Sequence, residues 1–208
     1  MAELYLIRHG KTYGNTLGRY IGTTDEDLCS EGREALLGLK GQEDYRSLKP
    51  EKVYVSPLKR CLQTAEILFP GVPAESVPEL RECDFGEFEN QNYKELSGNP
   101  SYQAWVDSGG TLPFPGGESR EGFQSRCVEG FLRVLDDIRT RGIERAALAV
   151  HGGTIMSILS AFAFPKEEFY HWQVKNGEGF RALLDETDKG GIRLYEISHI
   201  GPDPGVSA

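Results

Sequence analysis

Two short apolar runs, each closed by a histidine and then a glycine, constrain this chain more than any other feature. Leu4 to Ile7 stops at Arg8, His9 and Gly10, and Ala146 to Val150 stops at His151, Gly152 and Gly153. Each run is brief, continuous and bounded by a polar turn, the pattern of a strand buried on both faces. Such strands belong to sheets covered by helices on both sides, where ligands bind beyond the strands' carboxyl ends. Both histidines therefore fall on the binding rim. Glycine after each lets the backbone turn sharply and leaves amide hydrogens open to an anion. A histidine at a strand end is often just a hydrogen-bonded turn residue, but two of them, with Arg8 beside the first, weaken that alternative.

Helical periodicity fills the spaces between. Ser30 as N-cap, Glu31 in the first turn, and Ala35, Leu36 and Leu39 on one face predict a helix from Glu31 to Gly41. Val53 to Val55 reads as a strand, and Ser56 and Pro57 stand as N-cap and first residue of a helix from Leu58 to Phe69. Phe123, Cys127, Phe131, Val134, Leu135 and Ile138 recur at three and four, behind Glu118 and Glu121 at the positive end of the dipole. Thr154 to Phe164 forms an apolar helix, and Phe180 to Leu184 and Ile192 to Ile197 two late strands about a turn at Lys189, Gly190 and Gly191. Glu89 to Gly117 is a glycine- and proline-rich loop expected to cover something. The alternation predicts an α/β chain with one domain over residues 1–200 and a mobile tail over 201–208. The expected architecture is a three-layer sandwich, a mostly parallel sheet with helices on both faces.

Composition narrows the function classes. Of 208 residues, 23 are Lys or Arg and 32 are Asp or Glu, a net charge of −9 that opposes general binding to nucleic acid or anionic membranes. The longest mainly apolar stretch, Ile155 to Phe164, is about half of the roughly 20 residues a spanning helix needs. An acid at Glu3 and an early Arg8 do not suit a secretion signal, so a cytoplasmic location is expected. Cys29, Cys61, Cys83 and Cys127 show no paired C-x-x-C spacing and read as reduced thiols. The glycines from Gly109 to Gly117 do not follow a strand and open a helix, which excludes a dinucleotide fingerprint.

Leu6, Ile7, Arg8, His9, Gly10, Lys11 and Thr12, with Asn15 beyond, resemble the signature of the histidine phosphatase superfamily, the phosphoglycerate mutase-like family. Ser56, Pro57, Leu58, Arg60, Gln63, Thr64 and Ala65 are similar to its second block. Leu80, Glu82, Phe85, Gly86 and Glu89 are similar to its third, and His151, Gly152 and Gly153 to its last. The resemblance implies a metal-independent phosphomonoesterase with His9 as nucleophile, Arg8, Arg60 and His151 as phosphate clamp, and Glu82 as proton donor. Asn15, Gly22 and Gly152 become substrate-binding residues, with no metal and no cofactor. A phosphate monoester is doubly negative, so guanidinium forks must neutralise its oxygens before a neutral His9 nitrogen can attack and form phosphohistidine. The leaving alkoxide needs an acid, and the resulting carboxylate can then deprotonate water.

Gly18 to Gly22 and Gly116 to Ser119 look most like the branch containing α-ribazole phosphatase, which makes α-ribazole 5'-phosphate one candidate substrate. A phosphoglycerate mutase, a sugar-phosphate or broad-specificity phosphatase, a non-catalytic binding protein of the same fold, and a metal site at His9, His151 and Glu82 are the competing readings. The expected partner is a small phosphorylated metabolite, with no nucleic acid and no membrane, and a homodimer is left open. Departures from the family pattern are Val150 for Ser or Thr, Cys61 for Ala and Asn90 for Gly. Arg60 is expected to face the site from the first turn of its helix, away from the packed side, so that its loss would spare folding.

Overall fold

The computed structural model describes residues 2–186 and 191–202. Strands β1 (Ala2–Arg8), β2 (Lys52–Val55), β3 (Ala74–Ser76), β4 (Arg145–Val150), β5 (Gly179–Glu186) and β6 (Ile192–Ile200) form one sheet in the order β3-β2-β4-β1-β5-β6. The first four strands are mutually parallel, and β5 pairs antiparallel with both β1 and β6. Helices α1 (Tyr13–Thr16), α2 (Ser30–Lys40), α3 (Glu43–Ser47), α4 (Lys59–Leu68), α5 (Pro100–Asp107), α6 (Arg120–Arg141) and α7 (Gly152–Phe162), with short 3-10 turns at Pro78–Leu80, Gly86–Phe88 and Phe169–Trp172, complete the regular structure among the described residues. None of the described helices is long and apolar enough to cross a membrane.

The central strands are apolar throughout because both their faces are covered. Leu4 and Leu6 of β1 and Ala146, Leu148 and Val150 of β4 pack with Phe131, Val134, Ile155 and Ile158 of α6 and α7. Tyr5, Ile7, Ala147 and Ala149 point the other way, onto Leu36, Leu39, Ala65 and Leu68 of α2 and α4. The twofold alternation of side chains thus divides the core into two layers, the expected three-layer sandwich.

Local chemistry shifts several boundaries. Cys29, not Ser30, caps α2, its Sγ accepting the Gly32 amide at 3.3 Å. α7 begins at Gly152 rather than Thr154, and α4 at Lys59 with no side-chain cap, so Ser56 does not serve that helix. The segment from Glu89 to Gly117 is not all loop. Asn99 accepts the Ser101 and Tyr102 amides and Pro100 opens α5, a capping signal that the surrounding glycines and prolines obscured. β3 was not anticipated either, since its three exposed residues carry no apolar signal. Lys189 and Gly190 of the expected turn, and residues 203–208 of the expected tail, lie outside the described residues.

Candidate active site

Parallel pairing brings the two histidines together. Arg8 of β1 lies opposite Val150 of β4, so the next residues, His9 and His151, leave the sheet side by side with ring centroids 5.2 Å apart. Both are buried. The His9 Nδ1 lies 2.6 Å from the Gly10 carbonyl, and because a carbonyl only accepts, Nδ1 carries the proton and Nε2 keeps its lone pair. Burial first, then the Arg60 and Arg8 cations, hold His9 well below the usual imidazole range, so the ring is neutral at neutral pH. The turn itself is fastened by Thr64, which accepts the Gly10 amide at 3.0 Å, and by Asn176, which donates to the His9 carbonyl at 3.0 Å. Asn176 lies in a late loop with no pattern to mark it.

The arginines are placed differently from expectation. Arg60 is fully buried, and its Nη1 and Nη2 donate to the carbonyls of Thr24 (2.8 Å), Gly22 (2.9 Å) and Ile21 (3.3 Å). Its fork therefore holds the loop over residues 21–24, and the expectation that Arg60 stands clear of the packed protein is corrected. Glu89 grips the same loop from its amides, accepting from Gly22 and Thr24 at 2.8 Å each. Arg8 donates Nη1 to the Val174 carbonyl at 2.7 Å. The Nε of each arginine is buried with no protein acceptor, and Arg8 Nε lies 3.4 Å from where a Cβ on Gly152 would stand. The Arg8 orphan donor thus stands at the start of α7, where no side chain caps the helix amides, and the charges of both arginines reach His9.

Glu82 closes the site from the segment after a 3-10 turn at Pro78–Leu80. Its Oε1 accepts the Cys83 amide at 3.0 Å and its Oε2 lies 3.8 Å from His151 Nδ1. Burial pushes the carboxyl above the usual range, against the pull of the Cys83 amide, Arg60, Arg8 and Arg126. Arg126 of α6 also fixes the backbone here, donating to the carbonyls of Glu79 (2.7 Å), Arg81 (3.0 Å) and Glu82 (3.2 Å) while binding both oxygens of Glu118. Sequence reasoning passed over this ion pair because its partners sit eight residues apart across a helix start, with no motif to join them.

The remaining candidates divide. Asn15 spends Oδ1 on the Thr12 amide (3.2 Å) and on Asn176 (3.3 Å), which leaves its Nδ2 as the donor it can offer. Gly22 gives its amide to Glu89 and its carbonyl to Arg60, and a Cβ there would stand 2.0 Å from the Cys83 carbonyl, so glycine is required for close packing. Lys11 pairs with Glu31 at 3.0 Å on the surface. Asp84 accepts the Gly86 amide at 2.9 Å as a turn residue, and Glu87 is exposed. Of the departures, Asn90 adopts φ 58°, a left-handed conformation asparagine tolerates in glycine's stead, and Cys61 packs its Sγ 3.5 Å from His151 Nε2.

Aromatic residues cluster beside the loop over residues 21–24, Phe85 against Gly22. Tyr20 packs on Phe85 at 5.3 Å, and Trp105 is stacked between Tyr102 (6.1 Å) and Phe114 (5.1 Å). A cavity of about 700 Å³ borders the site through Arg8 and Asn176 and carries Lys11 and Lys175 on its wall.

Comparison with known proteins identifies the family. The model of the histidine phosphatase superfamily (branch 1) matches residues 4–194. The chain is 31% identical over 198 residues to the adenosylcobalamin/alpha-ribazole phosphatase of Salmonella typhimurium, covering 87% of this chain and 94% of that one. It is 30% identical over 207 residues to phosphoserine phosphatase 1 of Hydrogenobacter thermophilus, covering 97% and 95%. The crystal structure of the alpha-ribazole phosphatase from Shigella flexneri superposes with a TM-score of 0.74 at 26% identity, covering 92% and 94%. By sequence match across most of its length, and by a fold shared with solved relatives, the chain belongs to the histidine phosphatase superfamily, branch 1.

Proposed function

We propose that this phosphatase is a metal-independent phosphomonoesterase that transfers the phosphoryl group of a small metabolite to His9 Nε2 and then to water. One observation carries the proposal. Arg8 and Arg60, whose charges both reach His9, each keep a buried Nε donor without a protein partner, and the His9 tautomer leaves Nε2 free. Buried donors are costly unless a ligand pairs them, and a phosphoryl oxygen is the acceptor that matches their charge. His151 and the α7 amides complete the clamp, and Asn15 offers a further donor. Glu82, raised by burial, is the acid for the leaving alkoxide and the base for the attacking water. Two cations beside His9 disfavour a dication there, which speaks against the metal-site alternative.

The domain spans residues 1–200, the setting is cytoplasmic, and the acidic net charge of −9 fits a metabolite rather than nucleic acid as partner. Similarity to alpha-ribazole phosphatases makes α-ribazole 5'-phosphate the first substrate to test, with phosphoserine and sugar phosphates beside it. The experiment is turnover of an aryl phosphate in strong chelator, followed by acid and alkaline treatment of the trapped protein adduct. Phosphate bound to His9 is stable to alkali and labile to acid, and His9→Ala must lose both adduct and turnover. An adduct that survives in the His9→Ala protein, or activity abolished by the chelator, overturns the proposal. Offering a second phosphoglycerate hydroxyl as acceptor distinguishes a phosphatase from a mutase.

A further inference from the structure

Ser56 stands where a cap for α4 belongs, yet α4 starts at Lys59 uncapped and the hydroxyl turns elsewhere. It is fully buried, at the end of β2, with Oγ 2.7 Å from His151 Nε2. Three neighbours compete for it. The Leu58 amide, at 3.5 Å, can only donate to Oγ. The Cys61 thiol, which burial pushes up and so keeps protonated, is a weak acceptor. His151 Nε2 is the strong acceptor in reach, and a buried hydroxyl hydrogen requires one.

We propose that Ser56 is a positioning residue: by donating its hydrogen to Nε2 it holds His151 as the Nδ1–H tautomer and so presents an N–H, rather than a lone pair, on the side of Glu82. His151 is kept neutral by burial and by the Arg60 and Arg8 cations near it, so it has one N–H to place, and Ser56 decides where. Glu82 Oε2 lies 3.8 Å from Nδ1, too far for a hydrogen bond, so the carboxyl does not set the tautomer directly. With the opposite tautomer, Nδ1 would turn a lone pair on any phosphoryl oxygen in the clamp, and on the carboxylate that Glu82 becomes once it has given up its proton, both of them acceptors. The sequence carries its own support, since Val150 beside His151 has no hydroxyl, which leaves Ser56 to do this from the neighbouring strand. The catalytic part of this inference rests on the roles proposed above for His151 and Glu82; the tautomer itself does not.

The test uses the full chain with ring-labelled histidine and long-range proton–nitrogen correlation spectra at neutral pH. The chain has four histidines, and the His151→Gln spectrum assigns the one of interest. Wild type is expected to show a protonated Nδ1 and an unprotonated Nε2 at His151. Ser56→Ala should lose that preference and Ser56→Thr should restore it. In turnover of a sugar phosphate, Ser56→Ala should lower kcat at least about tenfold with KM little changed, and Ser56→Thr should recover most of it. A wild-type spectrum with the proton on Nε2 overturns the inference without need of any variant. So does a folded Ser56→Ala protein with the wild-type tautomer, or one whose tautomer changes while kcat does not. Absence of wild-type turnover would defeat the proposed function instead, and would leave the spectroscopic result standing.

Discussion

Replacing Glu82 with glutamine separates chemistry from architecture at one position. Gln keeps the oxygen that accepts the Cys83 amide at 3.0 Å and nearly the same volume, so what it removes is the proton. Loss of a general acid costs roughly 10²- to 10⁴-fold, and that loss should fall on alkyl phosphates, whose alkoxide cannot leave unaided. A nitrophenyl ester loses a stable anion, so its first turnover should survive as a burst. Later turnovers should then slow as phosphate collects on His9, because the base for water attack is also gone. Stability should move the other way. Burial raises the Glu82 carboxyl in the folded protein, so its contribution is fully present below the ordinary carboxylate range and is lost as pH rises through the folded value. Gln never ionises, so the variant should melt higher than wild type at pH 7, with the gain vanishing near roughly pH 3–4. Stopped-flow burst kinetics and thermal melts across pH read both effects. A Glu82→Gln protein with unchanged steady-state rates on alkyl and aryl esters would refute the assignment and turn attention to Asp84 or Glu87.

Arg60→Ala should lower the urea midpoint by the equivalent of about 3–5 kcal/mol, because three carbonyls of the loop over residues 21–24 lose a charged donor, and should cut turnover at least about 100-fold. A variant as stable as wild type would show that the fork does not hold that loop. Trp105→Ala, by opening the stack between Tyr102 and Phe114, should change the ranking among phosphorylated substrates more than Tyr93→Ala does, since Tyr93 is 62% exposed; one common factor for all substrates would make the segment support only. Arg126→Met should destabilise at pH 7 by about 1–3 kcal/mol, because Glu118 and three carbonyls lose a charged donor while Glu118 keeps the Asp84 amide and Arg81. Although burial pushes the Glu118 carboxyl up, the Arg126 fork and the Asp84 amide outweigh it and hold it low, so the deficit should shrink as pH falls through the folded Glu118 value. A deficit that does not change with pH would detach Glu118 from this role.

The parts of the fold visible in the sequence are those where one physical signal acts alone. β1 and β4 are apolar runs because both faces are covered, and α6 shows a clean periodicity because only one of its faces is. Their ends place His9 and His151, which is why the centre of the candidate site is legible. Arg60, Glu82 and Asn15 came from motif blocks, which identify residues but not what holds them. Hence the Arg60 fork was expected on phosphate and is found on the carbonyls of Ile21, Gly22 and Thr24. Ser56 misled because capping and histidine contact need the same hydroxyl, and the choice depends on β2 lying beside β4. Asn176, Arg126 and Glu118 act through contacts distant in sequence, and nothing local in the chain marks them.

The two site cations bear on both reacting groups with opposite consequences. Beyond the effect of burial, Arg60 and Arg8 favour the neutral His9 a nucleophile must be, yet they also favour an ionised Glu82, which an acid must not be. In the free protein burial decides for Glu82. A bound phosphate dianion offsets both cations and adds its own negative charge, which opposes ionisation of Glu82 further. On the proposed role of Glu82, the substrate thereby strengthens the acid it needs. On an alkyl phosphate, where transfer to His9 limits the rate, activity should fall as pH rises through the Glu82 value. That falling limb should lie at higher pH in kcat, which reports the complex, than in kcat/KM, which reports the free protein. In Glu82→Gln the limb should disappear from both profiles. Coincident limbs in the wild-type profiles would show that the bound phosphate does not reach the carboxyl electrostatically, and Glu82 would then have to act at a distance its burial beside Arg8 and Arg60 does not suggest.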